Sequence, residues 1–430
     1  MRHMRGVRLF ALLCLALAAL AAVGACSSGS NGSSSAAAGD PTSAASSAAT
    51  GTSASAGTGS TATKSPIVVG NVSSVTGPIS AAAQYFPVGI KAWAAYVNAN
   101  GGIDGHPVQV VYADDKSDAT TEAADFQQIA NANHPVAFVG VGTFDPAGAE
   151  AFLQAQKIPV VGGQLADPIW DTSPMFFPEG TSLNAVYYGM AAAAKGKKIG
   201  VVYCVETPEC SASAKIIGKA APLTGATVTY SQSYSLTTPD FTASCLAAKA
   251  AGVTNMIVLF DEPNILRYAA DCAQQGFEPT YEWEGLLPTD KTASATAMKG
   301  AVTIQTNYPW FDSSGAGATF HQAMAKYEPG EPIQASTMQA WASGILFQTA
   351  ATQVLTSGQP LTSATLITAL NSLKNETLGG LSGSLSFSAT APKATQNCWF
   401  EATSNGSQWT ASGASAQCAP ASDQSKIPGL

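Results

Sequence analysis

The sequence predicts an α/β protein of two lobes, each built around a doubly wound parallel sheet. The first observation is that short apolar runs, at 67–70, 137–140 and 158–161, each lead into a polar loop that contains glycine. Runs that are apolar on both faces are typical of strands in a sheet that helices cover on both sides. The second observation is that helical segments alternate strictly with these runs, which indicates right-handed crossovers.

The first lobe begins with the earliest of these runs. After it, Pro87 opens a helix whose apolar face includes Val88, Ala92 and Trp93, spaced as a helix requires. The glycine pair at 101–102 suits a left-handed helix end. The remaining predicted elements of this lobe are a strand at 108–112, a helix at 119–132, a strand from 137, a helix at 147–156 and a strand from 158.

A second series of the same kind follows a pause at 176–180. Its predicted helices lie at 185–194, 211–221, 244–251 and 265–275, and its predicted strands at 199–203, 227–230, 255–260 and 302–304. We therefore expect a second lobe of like construction. Three later helices, at 316–327, 337–355 and 364–373, are expected to return to the first lobe.

The amino-terminal segment has the features of an export signal. Arg2, Arg5 and Arg8 precede an apolar stretch at 9–22 that is too short to be read with confidence as a membrane span. The stretch ends in small residues before Cys26, which resembles the lipobox of bacterial lipoproteins. We predict a signal peptide at 1–25 and acylation of Cys26; the alternative is an ordinary secretory signal with a chance cysteine.

Residues 26–65 are nearly all Ser, Ala, Gly and Thr. Such a composition buries too little apolar surface to offset chain entropy, so we expect a disordered tether. The anchored protein would be held at the outer face of the bacterial cytoplasmic membrane. The lipid anchor would be its only membrane attachment, because no other segment could span a bilayer.

The charge balance excludes some classes of partner. The chain has 430 residues, of which 20 are basic and 28 acidic, and without the three signal-peptide arginines its net charge is −11. A negative chain is a poor partner for nucleic acid and for anionic lipid. We expect no nucleic-acid partner.

The cysteine count indicates disulfides. Of eight cysteines, Cys14 lies in the signal segment and Cys26 is the predicted acylation site, which leaves six in an exported protein. Six cysteines allow 15 connectivities. Proximity in sequence favours Cys204 with Cys210, Cys245 with Cys272, and Cys398 with Cys418. No Cys-x-x-Cys occurs and the histidines are isolated from the cysteines, so no metal site or cofactor is predicted.

A family can be named from the order of several motifs. They are Thr76-Gly77-Pro78, the run at 98–107 (NANGGIDGHP) followed by Asp114, Asp115 and Asp118, the run at 239–241 (PDF), the run at 276–279 (GFEP) and the run at 383–387 (GSLSF). Over residues 66 to 420 the chain resembles the type I periplasmic binding proteins that serve ATP-driven importers of branched-chain amino acids and amides.

The resemblance implies an architecture and partners. The two lobes would be joined by a three-crossing hinge, near 177–181, 308–312 and 379–383, and would close on a small-molecule ligand. One lobe would comprise residues 66–178 plus 310–379, and the other residues 181–308 plus 383–430. The expected partner is the permease of an ABC transporter, and the expected state is a monomer.

Candidate ligand-binding residues in the first lobe lie in the loops after its strands. For a zwitterionic amino acid, backbone N–H groups of these loops would hold the carboxylate. The resemblance aligns the loops at 142–144 and 164–166 with the loops that hold the ligand carboxylate in the family. The alternative is that each loop is only a tight turn between a strand and a helix. The residues are Ser74, Gly77, Tyr85, Gly142, Thr143, Phe144, Gln164, Leu165 and Ala166.

Acceptors for the ligand's ammonium group would come from the second lobe. Candidates are Glu206 and Glu209, Asp261 and Glu262, and the acids of the segment 282–284; one of them is expected to contact ligand, and which one stays open. The aromatic residues expected in loops that face the cleft are Tyr85, Phe144, Trp170 and Trp283. Those expected in the core are Trp93, Trp341 and Trp399.

Two departures from the amino-acid-binding pattern leave the ligand open. The family's run of serines is replaced by Thr143-Phe144-Asp145, and Ala166 stands where a threonine is typical. These changes leave room for an amide, an amine or an aromatic compound. A disulfide between Cys204 and Cys210 would stiffen a loop that in the family often contacts ligand, and so reduce the ordering cost of binding.

An enzymatic role is not expected. The chain has no Gly-x-Ser-x-Gly elbow and no Gly-x4-Gly-Lys-Ser/Thr phosphate loop. An extracellular ligand sensor of the same fold remains an alternative to an importer component, because the partner that would distinguish them is another chain.

Overall fold

The computed structural model describes residues 62–78, 80–143, 145–206, 208–285, 288–390, 396–413 and 415–427. The predicted signal peptide, Cys26, most of the predicted tether and the candidate Phe144 lie outside these residues. The side chain of Glu209 is likewise outside what the structure describes.

The strands, numbered in chain order, are β1 (Ile67–Ser73), β2 (Val108–Asp114), β3 (Ala137–Val141), β4 (Val160–Gly163), β5 (Phe176–Phe177), β6 (Lys198–Cys204), β7 (Thr227–Tyr234), β8 (Asn255–Leu259), β9 (Thr280–Glu284), β10 (Val302–Gln305), β11 (Cys398–Ser404), β12 (Trp409–Ala411) and β13 (Gln417–Cys418). The α-helices are α1 (Phe86–Ala99), α2 (Ala119–Asn133), α3 (Glu150–Gln156), α4 (Ile169–Thr172), α5 (Leu183–Ala193), α6 (Pro208–Thr224), α7 (Thr242–Ala250), α8 (Glu262–Gln274), α9 (Asp290–Ser294), α10 (Ala318–Tyr327), α11 (Ala335–Thr356), α12 (Ser363–Ser372) and α13 (Ala421–Gln424).

Two sheets form two lobes of like topology. The first sheet has the order β2-β1-β3-β4-β5 and is parallel throughout. The second contains the same arrangement as β7-β6-β8-β9-β10, and β11 and β12 extend it in the antiparallel sense. Since β1 and β6 each lie beside the strand that follows them and the strand after that, both sheets have a point where the chain reverses direction across the sheet. Open α/β sheets bind ligands at such points.

The predicted two-lobed α/β fold is confirmed, and helices α10 to α12 do belong with the first sheet. Helix α11 packs on α1, β3 and β4, helix α10 packs on α1, and helix α12 packs on α11. Polar caps define several helix starts: the Asp118 carboxylate accepts the Thr121 N–H at 2.8 Å, and the Ser182 hydroxyl accepts the Ala185 N–H at 3.2 Å.

The segment 280–284 corrects the sequence analysis. It was expected to be a loop at the cleft, but it forms β9, a central strand of the second sheet. Glu282 and Trp283 are both 0% exposed, and the Trp283 Nε1–H donates to the Phe260 carbonyl at 2.9 Å. The alternating acids of this segment are typical of a chain with one face in water. In the structure Glu282 is buried instead, and the Asn255 side chain of β8 donates a hydrogen bond to it at 2.8 Å.

Three chain segments connect the lobes, between β5 and α5, between β10 and α10, and between α12 and β11. Backbone bonds tie each to the others: Thr181 N–H donates to the Thr306 carbonyl at 3.1 Å, Tyr308 N–H to the Leu381 carbonyl at 2.8 Å, and Ser182 N–H to the Gln396 carbonyl at 3.2 Å. The hinge is therefore a single hydrogen-bonded unit.

The structure joins the three cysteine pairs that proximity in sequence predicts, Cys204 with Cys210, Cys245 with Cys272, and Cys398 with Cys418. Each bridge lies within the second lobe, where the 245–272 bridge ties α7 to α8 and the 398–418 bridge ties β11 to β13. In the part of the chain that the structure describes, no helix has the length and apolar character needed to cross a membrane.

Candidate functional site

The loops after β1, β3 and β4 meet at the carboxyl edge of the first sheet. Ser73 pairs with Gly142 as a parallel bridge, and Ser74 N–H donates to the Gly142 carbonyl at 2.9 Å. Gln164 N–H donates to the Val141 carbonyl at 2.8 Å. These contacts between neighbouring strands bring Ser74, Gly142, Thr143 and Gln164 together, as the sequence analysis expected.

The backbone donors of these loops are largely engaged within the protein. Besides Ser74 and Gln164, Gly142 N–H donates to the Val72 carbonyl at 2.9 Å, and Ala166 N–H donates to the Gln164 side chain at 2.6 Å. Gly163 N–H donates to the Glu179 carboxyl at 2.9 Å. A carboxylate placed here could take the N–H groups of Gly142, Gln164 and Ala166 only by displacing these bonds.

Gly77 shapes the first loop. Its φ is +96°, and a Cβ there would lie 2.2 Å from the Lys116 carbonyl oxygen, so the close approach to the loop after β2 requires glycine. Asp114 holds the same loop, because its carboxylate accepts the Val75 and Thr76 N–H groups at 3.0 and 3.1 Å. Tyr85, partly exposed, lies at the start of α1.

Trp170 and Leu165 are core residues of the first lobe, so the prediction that Trp170 lies in a loop facing the cleft is wrong. Trp170 is in α4, 2% exposed, and its Nε1–H donates to the Gln164 carbonyl at 2.8 Å. Its ring packs edge-on to Phe176 at 5.1 Å. Leu165 is 3% exposed in the same cluster. Both support the loop from beneath, where apolar side chains exclude water from the adjoining hydrogen bonds.

Close to the same edge lie two buried acids, Asp115 and Glu122, that the sequence analysis did not propose as ligand-binding residues. Asp115, after β2, is 0% exposed, and Glu122 of α2 is 3% exposed. Burial raises the pKa of Glu122 to about 8, while the Thr143 hydroxyl and the Asp145 N–H oppose the rise. Burial also raises the pKa of Asp115, and a hydrogen bond from Ser74 opposes it.

Thr143 is 1% exposed, and its hydroxyl lies close to Glu122. The contact lacks good hydrogen-bond geometry, since Thr143 Oγ1 and Glu122 Oε1 both remain without a partner. We refer to Ser74, Asp115, Glu122 and Thr143 together as the acceptor edge. An acidic residue is common in the first turn of a helix, because its charge interacts favourably with the positive end of the helix dipole. The position of Glu122 in the sequence therefore did not point to a binding role.

Three acidic candidates of the second lobe, Glu206, Asp261 and Glu262, already have partners within that lobe. Glu206 accepts the Ser235 hydroxyl at 2.7 Å and the Leu236 N–H at 2.8 Å. Asp261 caps α8 by accepting the Asn264 N–H at 3.0 Å. Glu262 accepts the Thr292 hydroxyl at 2.7 Å and also binds Thr289. Of the three, Glu206 and Asp261 are exposed.

The described residues contain no group of three or more His, Cys, Asp or Glu side chains arranged to hold a metal ion. A cavity of about 670 Å³ lies at the opposite edge of the first sheet and is lined by residues that include Ser65, Val68, His134 and Leu361. It is separate from the loops that carry the candidate residues.

Comparison with known proteins identifies the family. Residues 66–407 match the family described as periplasmic binding protein. No curated protein matches the chain.

Several solved structures share the fold. One is a branched-chain amino acid ABC transporter protein from Thermus thermophilus with bound valine, at 15% identity, covering 84% of this chain and 98% of that one, with a TM-score of 0.71. A solute-binding protein from R. palustris in complex with benzoate has 16% identity, covers 83% and 98%, and has a TM-score of 0.66. A fatty acid ABC transporter substrate-binding protein from Thermomonospora curvata has 16% identity, covers 86% and 97%, and has a TM-score of 0.68.

These identities show the fold and leave the ligand undetermined. The family match covers most of the chain, and the two sheets, the hinge and the polar loops all agree with it. The chain therefore belongs to the periplasmic binding protein family, whose members bind solutes and are not enzymes.

Proposed function

We propose that this protein captures a small polar solute, of the amino acid or amide class, between its two lobes and delivers it to an ABC importer. The observation that carries the proposal is the hinge: three hydrogen-bonded segments join two sheets, and polar loops stand at the carboxyl ends of the strands. Relatives of the same fold have bound valine or benzoate, or are described as binding fatty acid. Each is a small molecule with a polar group.

The amino-terminal segment supports delivery from a membrane surface. We propose that Cys26 is acylated and that the segment 26–65 tethers the folded part to the outer face of the cytoplasmic membrane. At about 5–6 Å times the square root of chain length, such a tether reaches on the order of 35 Å. That reach suits a protein that exchanges ligand with a permease beside it. Mass spectrometry of the amino-terminal peptide of the exported protein should find diacylglyceryl on Cys26, and an unmodified cysteine would contradict anchoring.

The test of capture combines thermal unfolding with small-angle scattering on the purified protein. A ligand present at a hundred times its dissociation constant should stabilise the folded state by about 2.7 kcal/mol by mass action. The same ligand should reduce the radius of gyration, because the lobes close. Amino acids, amino-acid amides, amines and aromatic acids form the screen, and mass spectrometry of molecules released on denaturation gives an independent identification.

Two results would contradict the proposal. A ligand that stabilises the protein without changing its scattering would argue against closure of the lobes. Absence of both a co-purified molecule and any stabilising solute would argue against solute binding. Co-purification with a permease rather than a signalling protein distinguishes import from sensing.

A further inference from the structure

We propose that the acceptor edge binds a positively charged hydrogen-bond donor of the solute, an amine or an amidinium-like group, and does not hold a free carboxylate. This inference rests on the proposed function and narrows its ligand class to amines and amino-acid amides. It reverses the polarity that the loop positions alone predicted.

The first step is that four backbone N–H donors of these loops are already engaged within the protein. In the loops at 74, 142, 164 and 166, each N–H already has an acceptor inside the protein, at distances between 2.6 and 2.9 Å. Moving one of them to a ligand carboxylate would leave a buried carbonyl or amide oxygen without its donor. A buried acceptor without its donor is unfavourable, so an anion gains little here.

The second step is that three buried side-chain oxygens of the acceptor edge lack a hydrogen-bond partner. Asp115 Oδ2, Glu122 Oε1 and Thr143 Oγ1 have no hydrogen-bond partner, and their residues are 0%, 3% and 1% exposed. Buried carboxyl oxygens are normally hydrogen-bonded, and leaving them unpaired is costly. An ionised carboxylate can only accept hydrogen bonds, so the group that is missing from the ionised edge is a donor.

The third step is the charge around the edge. Between residues 66 and 178 the chain has ten aspartates and glutamates and three lysines. The groups that face Glu122 and its neighbours are Asp114 at the end of β2, Asp118 in the loop after it, Asp125 on α2 and Asp145 after β3, with Lys116 as the cation that lowers the pKa of Asp125. Ionised carboxylates so close together repel one another, and a bound cation relieves that repulsion.

Proton linkage follows from these contacts. Burial raises the pKa of Glu122 to about 8, so this carboxyl holds a proton in the free protein near neutral pH. Burial also raises the pKa of Asp115 above its usual range. A bound cation favours the ionised carboxylates and lowers both pKa values. Binding should therefore release protons, and affinity should rise with pH up to about 8.

The experiment is isothermal titration calorimetry of the purified protein with matched probes. The amine arm contains straight-chain amines, putrescine, agmatine and the amides of leucine, valine and phenylalanine. The carboxylate arm contains the straight-chain acids of the same lengths and the three free amino acids. At least one amine-arm probe should bind at least tenfold more tightly than its carboxylate-arm counterpart. Titration in two buffers of different ionisation enthalpy should show proton release on binding.

Two variants connect the result to the edge. Glu122→Gln should weaken the tightest amine-arm probe by at least fivefold and should reduce proton release. Glu331→Gln removes one exposed carboxylate of the same lobe, between α10 and α11, and should leave both quantities unchanged. If Glu122→Gln does not fold by circular dichroism, Asp145→Asn replaces it, because Asp145 is exposed and its substitution leaves the core intact.

The outcomes separate the inference from the proposed function. A carboxylate-arm probe that binds more tightly than its amine or amide counterpart overturns the inference and leaves solute capture standing. Binding by no amine-arm probe also overturns the inference, and the mass-spectrometric search for a co-purified solute then decides the proposed function separately. Equal effects of Glu122→Gln and Glu331→Gln would show that the acceptor edge is not the site.

Discussion

Buried glutamates are the residues where this structure is most sensitive to pH. Glu282 in β9 is 0% exposed; its Oε1 accepts from Asn255 at 2.8 Å, and its Oε2 has no partner. Glu179, at the hinge, is also 0% exposed. Burial raises the pKa of each to about 8. Each is therefore protonated in the folded protein at pH values where the unfolded chain is ionised.

The sign of the resulting pH dependence is fixed. A carboxyl with a folded pKa of about 8 and an unfolded pKa of about 4.3 stabilises the fold fully below the unfolded pKa. That contribution is lost as pH rises through the folded pKa, by at most about 1.4 kcal/mol per pH unit. We expect Glu282→Gln, which cannot ionise, to gain stability relative to the wild type between pH 5.5 and 7.5, measured by urea unfolding with circular dichroism.

Glu278→Gln is the matched control, because Glu278 is exposed just before the same strand. Its stability difference from the wild type should stay nearly constant over the same pH range. A parallel change in both variants would mean that burial of Glu282 does not control the effect.

Helices α1 and α11 form the closest contact between helices in the first lobe, and glycine makes it possible. A Cβ on Gly344 would lie 2.3 Å from the Trp93 ring, and a Cβ on Gly89 would lie 2.4 Å from the Thr337 carbonyl oxygen. Trp93 is 0% exposed and packs edge-on to Phe347 at 6.0 Å, so the ring has no free space into which to move. The glycines therefore set the distance between these helices.

We expect Gly344→Ala to destabilise the protein by about 1–3 kcal/mol, the usual cost of overpacking a core, despite the higher helix propensity of alanine. Gly218→Ala is the matched control, since Gly218 is exposed within α6 and no atom lies within 4 Å of its added Cβ. That variant should gain about 0.5–1 kcal/mol. Thermal unfolding measures both, and a stabilised Gly344→Ala would contradict the close contact.

The hinge determines how the two lobes can move as a whole. Asn307, 3% exposed, donates to the Glu179 carbonyl at 3.1 Å and accepts the Thr306 hydroxyl at 3.0 Å. Gln396 adds a bond from the third segment to the Pro178 carbonyl at 3.2 Å. These side chains supplement the backbone bonds between the segments, so rotation of the lobes must occur with the segments held together.

We expect Asn307→Ala to loosen the hinge while leaving both sheets intact. Loss of the Asn307 amide leaves the Glu179 carbonyl without that donor, at a cost of roughly 1–3 kcal/mol. Hydrogen exchange should then accelerate at the amides of Thr181 and Tyr308, which bond across the hinge, and should stay unchanged in β3. Asn405→Ala, at an exposed turn of the second lobe, should leave the hinge amides unchanged. Unchanged exchange in Asn307→Ala would show that the backbone bonds alone hold the segments.

The amino-acid sequence by itself determined the alternation of strands and helices, the return of α10 to α12 to the first lobe, and the core positions of Trp93, Trp341 and Trp399, which are at most 2% exposed. Those features depend on local periodicity and on motif order. The numerical lobe boundaries and the ligand-contacting residues stay predictions.

Only the tertiary structure decided which polar groups of the loops are already paired. Whether the N–H of Gly142 or Gln164 is free depends on which strand lies beside it, and that pairing joins residues distant in sequence. The burial of Trp283, Trp170 and Glu122 has the same cause. Their burial is decided by neighbouring strands and loops. The alternating acids of 280–284 indicate one face in water, and the sequences of 169–172 and 119–133 carry no sign of the burial.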